Sequence, residues 1–304
     1  MTDRISRKLE DTSDEISKGG RARRYWDGRQ VKNRRSFFVS WDDKNLNMQD
    51  LLKAYNLKGF EFGNWVNTND RYDFLIGAKQ SLEDLQKIIK TKNLGIAHMV
   101  GVAFGARGMG GRVAAHYEPG LNMINLTKTK GEGCLAHEYG HAIDFNIGSY
   151  IDQNKNYRAL SGGRAMGVYL KDNTGGTCRL LMRKLIYDIK HTQSFKRLDK
   201  ASDYWHFNTE VFARFFEQWC CYKLRAKKIS NAFLTKSWAF YTSRPQYLTE
   251  ADFKKMLPLA DRLMRNIALT LNGKPTETAI PLEITNPEAV KAAASKAAGT
   301  NKKQ

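Results

Sequence analysis

The sequence predicts a fold of the α+β class. Apolar residues recur at helical spacing in separate segments, short β-branched runs lie between these segments, and a Pro-Gly turn joins two of the runs. The chain has 304 residues, of which 41% are hydrophobic and 27% charged, so it can bury a sizeable core. This composition excludes a collagen-like repeat, a coiled coil and wholesale disorder.

The helical segments begin after Met48. A short helix is predicted there from apolar residues on one face: Leu51, Leu52, Tyr55 and Leu57. A second helix is predicted from Asp84 to Ile89, with Ser81 as its N-cap and Glu83 favourably placed in its first turn.

The strand signals follow. Ile96 to Phe104 is apolar and rich in β-branched residues, which predicts a buried strand. The glycine-rich turn from Gly105 to Gly111 lacks the Lys-Ser/Thr pair of a phosphate-binding loop. The segments Val113–Tyr117 and Leu121–Leu126 flank the turn dipeptide Pro119-Gly120 and therefore predict a hairpin.

Charge and composition divide the chain into three parts. Residues 1–45 form a basic polar arm, residues 46–272 the folded core, and residues 273–304 an Ala/Lys tail that is predicted to be unstructured. The net charge of +19 predicts attraction to nucleic acid, although a basic, solvated surface is an equally simple explanation. Tyr25 and Trp26 lie among seven basic residues of the arm, a combination that can grip phosphates and stack on bases: Arg21, Arg23, Arg24, Arg29, Lys32, Arg34 and Arg35.

The cysteines and the hydrophobic pattern indicate a cytosolic compartment. Four cysteines, two of them adjacent at positions 220 and 221, give no disulfide framework in a chain of this length. The N-terminus lacks the apolar region of a secretory signal, and no apolar run approaches the roughly 18 residues of a membrane span. We therefore expect reduced thiols and no membrane association.

The segment GEGCLAHEYGHAID contains the motif HExxH, formed by His137, Glu138 and His141. Residues i and i+4 share one face of a helix, so both imidazoles can bind one ion. Glu138 lies beside the open coordination position, where it can take a proton from a zinc-bound water whose pKa is lowered to about 7. Gly140 predicts a tight contact with another element, because glycine costs about 1 kcal/mol of helix propensity. Two core histidines with ordinary hydrogen bonds are the alternative.

A zinc site needs a third protein ligand. Ile147 stands where the extended metzincin motif has its third ligand, so that solution is excluded. A later segment, residues 208–219, has apolar residues at helical spacing and begins with an asparagine as its N-cap. Glu210 and Glu217 lie two turns apart beside this apolar face, and both are candidates. An exposed ion pair between Glu210 and Arg214 is the competing interpretation.

Other residues compete for the site. Cys134 shares a helical face with His137 and His141, but about 10 Å of helix rise separates it from the second histidine, so a small core thiol is the simpler interpretation. Asp144, one turn after His141, is either a residue that orients an imidazole or an ordinary surface charge. The remaining histidines show no ligand pattern and are expected to make ordinary hydrogen bonds: His98, His116, His191 and His206.

Several separated blocks of the sequence resemble, in order, the large polyvalent protein-associated domain 1, a zincin-like metallopeptidase domain of phage and conjugative-element proteins. The main block is FGARGMGGRVAAHYEPGLNMINLTKTKGEGCLAHEYGHAID (residues 104–144), preceded by FEFGNWVN and SLEDL and followed by YWHFNTEVFARFFEQW (residues 204–219). The resemblance spans roughly residues 50–225. It implies a zincin-like fold, in which a small twisted sheet packs on the HExxH helix and a second helix closes the site.

The resemblance implies a zinc-dependent peptidase in which Glu138 activates the water that attacks a peptide carbonyl. The Zn²⁺ ligands that it implies are His137, His141 and Glu210. In zincins the edge strand of the sheet pairs with an extended peptide, and the hairpin between Val113 and Leu126 is the candidate for that strand. The oxyanion donor is left open between two residues, Tyr204 and His206.

A second hypothesis belongs to a different class of protein. The basic arm and the net charge of +19 are consistent with a nucleic-acid-associated protein of a mobile element, in which an inactive zincin-like core serves as a scaffold. Zinc-dependent hydrolysis of another electrophile is a third option, because HExxH specifies the activation of water but not the substrate. The expected location is the cytoplasm of a bacterial host, with packaging in a virion or delivery together with DNA as variants.

Overall fold

A computed structural model describes residues 46–64, 66–107, 113–127, 130–151, 159–167 and 176–277. These residues form helices around a small mixed sheet, which confirms the α+β class. The elements are α1 (Met48–Tyr55), β1 (Phe60–Phe62), α2 (Thr68–Ile89), β2 (Gly101–Phe104), β3 (Ala115–Glu118), β4 (Met123–Leu126), α3 (Leu135–Asn146), a π-helical turn (Ile147–Ile151), α4 (Thr177–Lys190), α5 (Gln193–Lys196), a 3-10 turn (Asp203–His206), α6 (Asn208–Ala226), α7 (Trp238–Thr242) and α8 (Glu250–Leu271).

The sheet has the strand order β1-β2-β4-β3. The first three of these strands run parallel, and β3 pairs antiparallel with β4, with Tyr117 opposite Ile124. The predicted hairpin is therefore confirmed, with shorter strands than the sequence indicated. One face of the sheet packs on α2, where the rings of Phe74 and Phe104 stack at 4.5 Å between centroids. Strands β3 and β4 contact α3, the helix that carries the HExxH motif.

The predicted strand from Ile96 to Phe104 is wrong over its first half. Only Gly101–Phe104 is extended, whereas Ile96, Ala97 and His98 have φ values of +51°, +55° and +63°. These residues form a left-handed turn that bonds to the end of α1, because the backbone N–H of His98 donates to the carbonyl of Asn56 at 2.8 Å. The turn buries the side chain of Ile96 completely, whereas Ala97 and His98 are exposed.

The helix predicted from Asp84 to Ile89 begins sixteen residues earlier, at Thr68. Asn67 is its N-cap, and the side chain accepts a hydrogen bond from the N–H of Asp70 at 2.8 Å. Ser81 is fully buried inside the helix and caps nothing. Asn67 and not Ser81 is the N-cap, because Asn67 satisfies a free N–H of the first turn. The N–H groups near Ser81 are already bonded within the helix.

The second helix of the site forms where it was expected, as α6, but Asn208 is not its N-cap. Phe207 occupies the cap position, and Asn208 is the first helical residue. The Asn208 amide instead donates to the carbonyls of Ser161 and Gly167, both at 3.0 Å. This side chain therefore ties the start of α6 to the loop that follows α3.

Three parts of the sequence interpretation lie outside the described residues. They are the basic arm at residues 1–45, most of the glycine-rich turn at residues 108–112, and the tail from residue 278 onward. Among the described helices, none combines the length and the apolar character that a bilayer span requires. All four cysteines lie in the described part of the chain and are free thiols.

Candidate metal centre

Helix α3 presents the two histidines of the motif on one face, as their spacing predicts. Two backbone hydrogen bonds hold the start of this helix against residues 233 and 234. The N–H of Gly133 donates to the carbonyl of Phe233 at 2.9 Å, and the N–H of Ala136 donates to the carbonyl of Leu234 at 3.0 Å. The imidazoles of His137 and His141 then lie edge to face one turn apart, with 4.9 Å between ring centroids. The orientation of this face is set by the packing of α3 against α6.

Helix α6 crosses α3 at Gly140. A Cβ atom on this glycine would lie 3.1 Å from Cα of Ala213 and 3.2 Å from Cδ1 of Phe216, closer than side chains normally pack. The predicted tight contact at Gly140 is therefore present, and its partner is the backbone of α6. Because Glu210 lies one turn before Ala213, the close crossing brings its carboxylate to the histidine pair.

The structure brings His137, His141 and Glu210 together. One ligand atom from each lies within 4.8 Å of the others, an arrangement that could hold a metal ion. The Nε2 atom of His141 is 3.4 Å from Oε1 of Glu210, and that of His137 is 3.6 Å from Oε2. Oε2 is buried and has no hydrogen-bond partner, which is the condition of an acceptor that a cation would satisfy.

The chemistry of these three groups suits zinc. Two imidazole nitrogens and one carboxylate oxygen form a ligand set that zinc uses in catalytic sites, with a fourth position left open. The electrostatics of the site also favour a positive charge. Burial opposes protonation of His137, but the carboxylates of Glu217 and Glu210 outweigh it and raise the pKa of this imidazole well above its ordinary value. A bound cation would replace that proton.

Glu138 interacts with the charges of the cluster and is buried, with 5% of its surface exposed. Burial raises the pKa of this carboxyl, while the neighbouring His137 and His141 counteract the rise. A carboxyl whose pKa is shifted toward neutrality is suited to accept and return a proton.

The second candidate ligand, Glu217, does not face the cluster. Its Oε1 atom lies 3.0 Å from Nδ1 of His137, on the side of the ring opposite to Glu210. Tyr241 and Tyr247 donate their hydroxyls to the same carboxylate, at 3.1 and 2.8 Å. Glu217 is therefore a hydrogen-bond partner of a candidate ligand and not a candidate ligand itself.

His141 has a partner of a different kind. Its Nδ1 atom lies 2.9 Å from the hydroxyl of Thr209, the residue before Glu210. Burial raises the pKa of Asp144, and hydrogen bonds from Ser161 and Thr209 oppose this rise. Ser161 donates to Asp144 through its N–H at 2.8 Å and its hydroxyl at 2.6 Å. Asp144 thus acts on His141 through Thr209, in line with the orienting role and not with a surface charge.

The remaining candidate residues do not belong to the cluster. Cys134 occupies the cap position of α3 and does not belong to the cluster, and burial raises the pKa of its thiol to about 12. The competing Glu210–Arg214 ion pair does not form, because Arg214 donates to the carbonyl of Trp205 at 2.5 Å and stacks on its ring. The other histidines contact ordinary acceptors, as expected: Leu57 for His98, Glu118 for His116, Tyr187 for His191 and Leu198 for His206.

The two candidate oxyanion donors, Tyr204 and His206, have different surroundings in the structure. His206 is engaged with the carbonyl of Leu198 at 2.9 Å and packs edge-on against Phe195. Tyr204 is 47% exposed. Burial of its hydroxyl and the adjacent charge of Glu210 raise its pKa, so that the group remains a proton donor at neutral pH. Of the two candidates, Tyr204 is the one that interacts with Glu210 of the cluster.

Sequence reasoning missed three residues of the site, namely Thr209, Tyr241 and Tyr247. Thr209 carries a weak signal, because a hydroxyl next to a candidate ligand can reach a histidine of the facing helix. The two tyrosines lie 24 and 30 residues after Glu217 and show no spacing that relates them to it. Only the fold brings them to this carboxylate.

A comparison with family models matches residues 197–270 to the large polyvalent protein-associated domain 1, a domain of phage-type polyvalent proteins. This match supports the family assignment, and of the blocks that carried the resemblance only residues 204–219 lie within it. It covers α6, α7 and α8, including Glu210 and Glu217, whereas His137 and His141 lie before it. No curated protein and no solved structure matches the chain.

Proposed function

We propose that this chain, which carries the large polyvalent protein-associated domain 1, is a zinc-dependent metallopeptidase with a zincin-like core. One observation carries the proposal: the ligand atoms of His137, His141 and Glu210 lie within 4.8 Å of one another beside a buried glutamate of the HExxH motif. The orphaned Oε2 atom of Glu210 supports it, because a cation held by the three residues would satisfy this acceptor.

The bound ion would supply two effects, a lower pKa for the attacking water and polarisation of the substrate carbonyl. The protein supplies the proton transfer. Glu138, buried next to the two imidazoles, accepts the proton of the water as it attacks and returns it to the departing amine. Tyr204 donates its hydroxyl proton in a hydrogen bond to the oxyanion that develops on the carbonyl oxygen.

The sheet offers a place for an extended peptide. Within the described residues, β3 has β4 on one side only, and α3 packs against both strands. A peptide that adds to β3 would find backbone N–H and C=O partners and run beside the helix that carries the histidines. An extended polypeptide is therefore the substrate class that we propose.

The metal site is tested by mass spectrometry of the purified protein and of the variants His141→Ala and Glu210→Ala. We expect one zinc per wild-type chain and a clear loss in both variants, because two ligands hold zinc weakly. Wild-type protein that takes up no zinc, or a Glu210→Ala variant that keeps it fully, would refute the proposed ligand set.

The chemistry is tested with Glu138→Gln. This variant keeps the size of the side chain but cannot accept a proton, so we expect full zinc content and a loss of peptide hydrolysis by about 10²–10⁴-fold. A mixture of unstructured peptides serves as the substrate. Turnover equal to that of the wild type would contradict the role of Glu138.

The net charge of +19 supports a second candidate function, binding of nucleic acid through the arm at residues 1–45. This function is compatible with the first, since the arm lies apart in sequence from the metal cluster.

A further inference from the structure

Glu217 is a carboxylate inside the protein whose hydrogen bonds all come from side chains of the site. Only 4% of the residue is exposed. Its Oε1 atom faces Nδ1 of His137 at 3.0 Å and the hydroxyl of Tyr247 at 2.8 Å, and its Oε2 atom accepts from Tyr241 at 3.1 Å. A buried carboxyl group without partners would be strongly unfavourable, and these three contacts satisfy its oxygens.

This arrangement determines which nitrogen of His137 is free to bind an ion. A carboxylate accepts hydrogen bonds, so the ring atom that faces it, Nδ1, must carry a proton. Nε2 is then the nitrogen that is available to an ion, and it lies 3.6 Å from Oε2 of Glu210. Glu217 thus aims His137 at the cluster. His141 is held less directly, by the hydroxyl of Thr209.

The two tyrosines come from a segment that has no metal ligand of its own. Tyr241 belongs to α7, and Tyr247 lies in the turn that leads to α8. The same segment is fastened to α6 a second time, by Gln218, which exchanges two hydrogen bonds with the backbone of Leu248 at 2.8 and 3.2 Å. Glu217 and Gln218 therefore dock the same segment, but only Glu217 contacts a histidine.

We propose that Glu217 is the positioning residue for His137: through its hydrogen bond to Nδ1 it holds the imidazole with Nε2 directed at the metal position, and Tyr241 and Tyr247 hold Glu217 in turn. The inference rests on the proposed metal centre and goes beyond it by adding the segment 238–248 to the site. Loss of such a partner typically weakens metal binding by about 10–100-fold.

The adjacent pair Glu217 and Gln218 provides a matched test. Glu217→Gln keeps the side-chain shape and removes the charge at His137, whereas Gln218→Leu removes two hydrogen bonds to the same segment without touching a histidine. Zinc affinity is measured by competition with a chromophoric chelator, and stability by urea unfolding of the zinc-free protein. We expect Glu217→Gln to bind zinc about tenfold or more weakly. Gln218→Leu should bind within twofold of the wild type although it is the less stable protein.

A second measurement does not depend on zinc. The chain has six histidines, so ¹⁵N labelling of histidine gives few imidazole signals, and that of His137 is identified by its absence in His137→Gln. A protected Nδ1–H signal of His137 is expected in the wild type and in Gln218→Leu, and a large shift or loss of this signal in Glu217→Gln.

The outcomes separate this inference from the proposed function. Wild-type protein that binds no zinc would refute the metallopeptidase, while the imidazole signal would still decide whether Glu217 holds His137. Zinc bound equally well by Glu217→Gln and by the wild type, or an unchanged His137 signal, would overturn the role of Glu217 and leave the metal centre intact.

Discussion

Replacing Gly140 by alanine is expected to weaken zinc binding about tenfold or more and to lower the free energy of unfolding by no more than about 2 kcal/mol. Gly140 sets the distance between α3 and α6, because a Cβ atom there would lie 3.1 Å from Cα of Ala213 and 3.2 Å from Cδ1 of Phe216. The nearest of these atoms belongs to the backbone, which cannot rotate away as a side chain can. The helices must therefore move apart by a few tenths of an ångström to admit the methyl group.

The effects on stability and on metal binding have different causes. Alanine in a helix is favoured over glycine by about 1 kcal/mol, and overpacking of a core costs about 1–3 kcal/mol, so the free energy of unfolding should fall by no more than about 2 kcal/mol. Glu210 lies one turn before Ala213 and moves with it. Metal–ligand distances tolerate only about 0.2 Å of error. We therefore expect zinc affinity to fall about tenfold or more.

Ala142→Gly is the control on the same helix. Ala142 is fully buried, and its replacement costs about 1 kcal/mol of helix propensity and the packing of one methyl group without creating a new contact. Chelator competition and urea unfolding are measured for both variants. If Ala142→Gly loses as much zinc affinity as Gly140→Ala at equal loss of stability, the metal site responds to stability alone and the argument from the helix crossing fails.

Three further outcomes are expected. Cys134→Ala should bind zinc like the wild type, because Cys134 is not one of the three residues whose ligand atoms converge; weaker binding by mass spectrometry would restore the cysteine as a ligand. Burial opposes ionisation of Asp252, but Ser194 donates to its carboxylate at 3.0 and 2.7 Å and holds the pKa below its ordinary value. Its contribution to stability is full above about pH 4, the value of the unfolded chain, and is lost as the pH falls through the lower folded value, so acid unfolding of Asp252→Asn should depend less on pH in that range. Removal of residues 1–45 should abolish DNA binding measured at about 50 mM salt; undiminished binding would place the interaction elsewhere.

The HExxH helix was predictable because its logic is local. Residues four apart share a face in any α-helix, so His137 and His141 converge whatever the rest of the chain does. The hairpin around Pro119-Gly120 was predictable for a similar reason, since the turn dipeptide lies within the segment that it folds. The third residue of the cluster needed the family resemblance, because spacing alone left Glu210 and Glu217 as alternatives.

The roles of these two glutamates could not be separated by spacing, since they lie two turns apart on one stripe of α6. The position of the crossing decides between them. Gly140 packs on Ala213, which lies nearly midway between them, so Glu210 falls on the Nε2 side of the imidazoles and Glu217 on the Nδ1 side of His137. That crossing depends on the whole packed core and has no signal in either helix alone.

The wrong prediction of a strand at Ile96 has a physical cause in the fold. Ile96 to His98 has the composition of a strand, but the preceding Gly95 passes so close to the end of α1 that a Cβ atom would lie 1.9 Å from the carbonyl oxygen of Asn56. The segment therefore turns under α1 and does not continue into the sheet. Ile96 is fully buried all the same, so an apolar, β-branched residue indicates burial but does not by itself indicate a strand.

The boundary of the family match has a structural consequence. Residues 197–270 contain Glu210, Glu217 and the two tyrosines, but the imidazole proton that completes the hydrogen bonds of Glu217 comes from His137 on α3. Without α3, the carboxylates of α6 would lose both their hydrogen-bond partner and the packing that buries them, at a cost of several kcal/mol if they stayed buried. The matched segment and the HExxH helix therefore depend on each other for stability, and the histidine pair is the point at which a metal ion would join them.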